Sequence, residues 1–240
     1  MKDIVSSVMS GIMFATSASI FYSSLRLTPN HRFYHYMCFT ISSFASVAYA
    51  AMICLDDDII RYIEWALTTM VELIILGSMS DIDPINIYMM CLFDELMIIM
   101  GVLGHYAGSV IMTCVYMAAS IICLLPILYF LFIEMDYSTI RDIQHQKRAL
   151  LVTRFLMTTW LMYPIVWIIQ VFGLIHDDWL IIMIMYSLLD MLSKFVFVAI
   201  VLLCIDDCHQ ISSDHPEIAI PDSAGAAAAE NSSLRELPSS

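Results

Sequence analysis

Residues 85–135 form an almost unbroken apolar run. As one helix, at 1.5 Å per residue, it would reach roughly 75 Å, while the hydrocarbon core of a bilayer is only roughly 30 Å thick. The run must therefore fold back on itself, and Gly101, Gly104, His105 and Gly108 mark the place. Apolar runs long enough to cross a bilayer also occupy residues 4–25, 33–55, 59–77, 150–174 and 179–205. With the long run split in two, seven spans result. Backbone groups in lipid must be satisfied within the segment, so the spans are helices; a barrel would need alternating segments of about ten residues. The expected fold is all-α, a seven-transmembrane-helix bundle.

Bulk composition agrees. Of the 240 residues, 60% are hydrophobic and 14% charged, whereas an ordinary soluble domain has about a quarter charged; mean hydropathy is +0.82. A net charge of −13 argues against nucleic acid as a partner, since phosphate binding needs clustered Lys and Arg. The seven cysteines stand singly and suggest neither a disulfide framework nor a metal site. No cleavable signal peptide is expected ahead of the first apolar run.

Basic residues set the expected orientation. Arg26 and Arg32 lie in the first loop and Arg141, Lys147 and Arg148 in or at the edge of the fifth, where the polar stretch 136–147 is read as loop. Both loops face one side, so the N-terminus is expected outside and the C-terminus in the cytoplasm. Residues 1–208 are read as the membrane domain and 209–240 as a disordered cytoplasmic tail, polar and low in complexity.

Ionisable residues inside a span cost about 2.5–3.5 kcal/mol each on insertion scales, so each needs a reason. Lys194 lies mid-span in the seventh run, with Asp190 one helical turn earlier on the same face. The pair reads either as a buried ion pair fixing helix packing or as a desolvated amine able to condense with a carbonyl compound. In the third run Arg61, Glu64 and Thr68 share one side of the helix, an arrangement suited to holding negative charge opposite that amine. Glu72 lies eight residues beyond Glu64, about 80° round the helix, and Asp94 and Glu95 sit in the fourth run.

Four stretches together resemble the microbial rhodopsins, the bacteriorhodopsin-like family. Arg61-Tyr62-Ile63-Glu64-Trp65 with Thr68-Thr69 is similar to the third-helix signature, with Glu64 where the usual acceptor is Asp. Asp94, Met97 and Gly101 match the fourth-helix pattern, and Trp160-Leu161-Met162-Tyr163-Pro164-Ile165-Val166-Trp167 the sixth. Leu189-Asp190-Met191-Leu192-Ser193-Lys194 resembles the retinal-lysine signature.

The resemblance implies all-trans-retinal as a protonated Schiff base on Lys194, with Glu64 and Asp190 as counterions and Arg61 and Thr68 beside them. Trp65, Trp160, Tyr163 and Trp167 would wall the chromophore, because a flat polyene needs flat walls. Met97, Gly101 and Ser120 would lie near its ring, and Thr69 and Asp94 would join the third and fourth spans by a hydrogen bond.

Light-driven proton transport follows, with Glu64 as acceptor. The family's usual donor position, eleven residues after the acceptor, is Ile75, and the Pro usually following the Thr pair is Met70. Glu72 is expected to line the retinal pocket and to substitute as proton donor or act as a gate. A light-gated channel and a photosensor signalling through a partner protein are the alternatives. The resemblance further implies a non-enzymatic, multi-pass protein, plasma-membrane-bound, homo-oligomeric and without a metal.

Overall fold

A computed structural model describes residues 2–27, 32–55, 57–80, 82–134, 143–173 and 179–214. Every regular element among them is a helix: α1 (Lys2–Ser24), α2 (Arg32–Leu55), α3 (Ile59–Met79), α4 (Pro84–His105), α5 (Val110–Tyr129), α6 (Ile143–Val171), α7 (Trp179–Asp190) and α8 (Phe197–Asp214). A π-helical segment, Met191–Val196, joins α7 to α8 into one crossing, and another, Phe130–Glu134, extends α5. Among the described residues six helical spans, of 22 to 26 residues, are long and apolar enough to cross a bilayer. The seventh crossing is α3, of similar length but carrying Arg61, Glu64 and Glu72.

Packing follows chain order. Each helix from α1 to α7 touches its successor, α7 returns to α1, and α3 meets α6 across the ring. All of this lies in one compact unit, Met1–Leu202; the second, Leu203–Ser240, is described only as the end of α8. Small hydroxyl residues draw α1 and α2 together: Ser10 and Ser46 each donate to the other's carbonyl at 3.0 and 3.1 Å, and the Ser17 and Ser43 hydroxyls lie 2.6 Å apart. Such residues let backbones approach where lipid offers no hydrophobic drive.

The long run 85–135 turns where its glycines suggested. Helix α4 starts with Pro84 in its first turn and the Asp83 side chain accepting from the Ile85 amide at 2.9 Å; α5 starts with Ser109 accepting from the Met112 amide at 3.3 Å. Both are standard means of satisfying free N-terminal donors.

Three expected boundaries move. Residues 143–147, read as loop, are the first turn of α6, because Gln, Lys and Arg are good helix formers and continue a helix into water. Helix α6 ends at Val171, and Gly173 adopts φ +58°, a left-handed conformation that suits glycine at a helix end. Helix α8 runs to Asp214, past the boundary set at 208; the remaining tail, residues 215–240, lies outside the described residues, as does most of the fifth loop, 135–142.

A buried lysine between two carboxylates

Lys194 is 1% exposed and lies within the π-helical segment of the seventh crossing. One-turn π segments inside α-helices often mark functional sites, because the extra residue re-aims side chains. Its Nζ donates to Asp190 Oδ1 at 2.7 Å and lies 3.1 Å from Glu64 Oε1. The amine of the seventh crossing is thereby held against a carboxylate of α3, a pairing no spacing within one helix could reveal.

The two carboxylates differ in support. Asp190 also accepts from the Tyr49 hydroxyl (2.6 Å, to Oδ2), the Trp65 indole N–H (3.0 Å) and the Tyr163 hydroxyl (2.8 Å). Glu64 has little beyond Lys194. The Thr68 hydroxyl lies 2.9 Å from the Glu64 backbone carbonyl and 3.4 Å from Oε1, while Oε2 has no partner. A carboxylate with several donors is strongly stabilised as the anion; one with a bare oxygen has room to accept a proton.

Arg61 shares the Glu64 side of α3, but its guanidinium lies over the Tyr186 ring, 5.1 Å from the centroid, with Nη1 unpartnered. It lines a second cavity with Asp58, His105, Gln170 and Tyr186. Tyr62, Trp65 and Tyr186 border both that cavity and the main one, and so form the wall between them.

The main cavity opens beside Lys194. Of the expected wall residues, Trp65, Thr69, Met97, Gly101, Ser120, Trp160, Tyr163 and Trp167 all line it. Three of the chain's four tryptophans therefore converge on one space. Asp94 does not line it but supports Thr69, whose hydroxyl donates to Asp94 Oδ2 at 2.6 Å and ties α3 to α4. Ser120 donates to the Met97 carbonyl at 3.0 Å, tying α5 to α4. Glycine at 104 leaves room for the Trp167 ring, which a Cβ there would meet at 2.8 Å.

Glu72 departs from its expected place. It is not among the lining residues; it is fully buried and accepts from the Trp160 indole N–H at 3.0 Å, outside the wall that Trp160 provides. Residues that pattern reading missed are Tyr49, Tyr62 and Tyr186. Tyrosines are common in membrane helices, and only the assembled bundle turns these three toward the charges.

A seven-helix bundle enclosing a single amine, two carboxylates and an aromatic slot defines the architecture of the microbial rhodopsins. The chain belongs to that family: residues 1–208 match the bacteriorhodopsin-like proteins. It is an integral, multi-pass membrane protein. Archaerhodopsin-3 of Halorubrum sodomense is 27% identical over 156 residues, 59% of this chain and 60% of the relative. Halorhodopsin of Natronomonas pharaonis is 28% identical over 151 residues, 59% of this chain and 49% of the relative. The chain thus matches about 60% of the length of the first of these curated relatives and less of the second.

Among solved structures, the light-driven proton pump LR (Mac) from Leptosphaeria maculans superposes with TM-score 0.81 at 20% identity, covering 87% of this chain and 95% of its own. The proton-pumping rhodopsin AR2 from Acetabularia acetabulum gives 0.80 at 22%, covering 87% and 96%. At such identities the likeness is one of fold. Family membership implies a retinal chromophore, and the residues fit one: a buried amine lining a slot walled by flat rings.

Proposed function

We propose that this protein is a light-driven outward proton transporter that carries all-trans-retinal on Lys194 Nζ, with Glu64 as the acceptor of the proton from that nitrogen. Retinal, when bound, supplies the absorption of light and the change of shape that follows. Trp65, Trp160, Tyr163 and Trp167 would hold its chain flat, with Met97, Gly101 and Ser120 toward the far end and Thr69 and Asp94 bracing the wall.

The carrying observation is the asymmetry of the two carboxylates. Asp190, held by Lys194, two phenols and an indole, keeps its negative charge throughout. Glu64, 3.1 Å from Nζ with one oxygen unpartnered, takes the proton. Thr68 keeps the Glu64 turn in register, and Arg61 balances the second negative charge from the neighbouring cavity. The Lys and Arg bias of the first and fifth loops puts the Arg61 end outside, at the plasma membrane of the cell, so the proton leaves outward.

Ile75 favours a second reading. It is wholly buried and apolar at the family's donor position, so return of the proton would be slow and the altered state long-lived. That suits a photosensor acting through a partner.

Photocurrents under voltage clamp, in cells supplied with all-trans-retinal, separate these readings. A current of fixed direction, lost on the order of a hundredfold in Glu64→Gln, supports the transporter. Reversal with the ion gradient means a channel, and no current in a coloured protein means a sensor. A Lys194→Ala protein as coloured as the wild type would end all three.

A further inference from the structure

Glu72 is buried on all sides, yet has one neutral donor, the Trp160 indole N–H on Oε2, and no partner on Oε1. An ionised carboxylate so placed would cost several kcal/mol. As the acid, the group makes sense of its surroundings: the oxygen that accepts from Trp160 is the carbonyl, and the other carries a hydroxyl with no acceptor in this state. Such a proton is held but not engaged.

Trp160 belongs to two environments at once. Its ring lines the cavity at Lys194, and its N–H holds Glu72. Pro164, four residues later in α6, has no N–H to give to the Trp160 carbonyl, so α6 lacks a rung where the ring is attached and yields there more readily. A change in the shape of whatever fills the cavity presses on this ring first and reaches the Glu72 bond through it. Thr153, seven residues before Trp160 and two turns along the same face of α6, is also fully buried with its hydroxyl unpartnered, a polar step toward the Ile75 end.

We propose that Glu72 is a latched proton store: its burial keeps it the acid, the Trp160 N–H pins its carbonyl oxygen in place, and displacement of Trp160 frees the carboxyl to turn its O–H to the Lys194 nitrogen. The O–H bond of Glu72 breaks, an N–H bond forms at Nζ, and the carboxylate left behind takes a proton from water at the Ile75 end. This rests on the proton-transport reading and supplies the donor that Ile75 cannot be.

Infrared spectra of the full chain in lipid test it, first in the protein without pigment. A carboxylic C=O band should be present in the wild type, absent in Glu72→Gln, and shifted in Trp160→Phe, which keeps a ring but removes the N–H. In the pigmented protein the band should fall on illumination, and return of the proton to the Lys194 nitrogen, followed by flash absorption, should slow on the order of a hundredfold in Glu72→Gln. Should Glu72→Gln fail to assemble, Glu72→Asp keeps the acid on a shorter arm, and its band should move and its proton return slow. A band unchanged in Glu72→Gln or Glu72→Asp, unmoved in Trp160→Phe, or indifferent to light overturns the proposal. A pigmented, proton-moving protein with a silent Glu72 refutes only this inference, whereas a colourless one refutes the reading beneath it.

Discussion

The two sides of Lys194 are built on opposite principles. Toward Arg61 the bundle is charged and partly hollow: Glu64 and Asp190 flank the amine, and a second cavity holds Arg61 with Asp58 and His105. Toward Ile75 it is packed and dry, with Ile75, Leu76, Val152, Leu156 and Val201 buried, and Glu72 the one carboxyl beside them on α3. In the proposed transport a proton would leave Nζ on the first side over a single short contact and meet apolar packing on the second. The contrast teaches that direction in such a bundle comes from unequal access on either side of one atom, with chemistry concentrated on one side and insulation on the other.

The contrast can be broken at three places. Asp190→Asn has the largest expected effect. It removes the carboxylate that Lys194, Tyr49, Trp65 and Tyr163 all hold and should cost about 3–5 kcal/mol, read as a fall in thermal midpoint. Glu64→Gln, with fewer partners to orphan, should cost less, about 1–3 kcal/mol; the reverse ranking would undo the asymmetry argued for these two groups. On the dry side, Leu76→Ala opens a cavity in a fully buried position. It should cost about 2–5 kcal/mol, between Asp190→Asn and Glu64→Gln, while a photocurrent keeps its direction. Reversal of that current would show the packing to be part of the ion path.

Gly104→Ala sharpens the comparison from the cavity wall. The new Cβ would press on the Trp167 ring at 2.8 Å and on Tyr116 at 3.3 Å, costing about 1–3 kcal/mol and shifting the visible absorption of the pigmented protein. An unshifted spectrum would mean the ring relaxes away from the slot.

The smallest effect lies at the water-facing end. Asp57 is held below the ordinary carboxylate range first by the Ile59 amide and then by the Tyr106 hydroxyl. A carboxyl lowered on folding adds stability above its ordinary value and loses it as pH falls through the lowered one. Tyr106→Phe should therefore move the Asp57 titration upward in NMR, slightly, since the backbone donor remains.

Much of this was legible in the chain. Asp190 and Lys194 share a face by spacing alone, and the glycines of the long apolar run marked its turn, with Gly108 in the 106–109 connection and Gly101 and Gly104 just before it in α4. The Thr69–Asp94 bond was expected from resemblance and is present at 2.6 Å. What failed was aim. Glu72 was expected to face the pocket, since its helical angle from Glu64 pointed inward, but whether a neighbour's ring stands between a side chain and a cavity is not encoded in one helix. The π-helical segment at Lys194 was likewise invisible, because nothing in Met191–Val196 demands the extra residue per turn.

Local chemistry suffices for the first part of the answer: apolar length and backbone satisfaction require seven helices, and the insertion cost of a charge singles out Lys194, Glu64, Glu72 and Asp190 before any contact is known. Only the closed bundle decided which of those acids meets the amine, which is saturated by Tyr49, Trp65 and Tyr163, and which is tied to Trp160. Those relations are made between helices distant in sequence. They depend on the rotation of each helix about its own axis, which packing sets and composition does not.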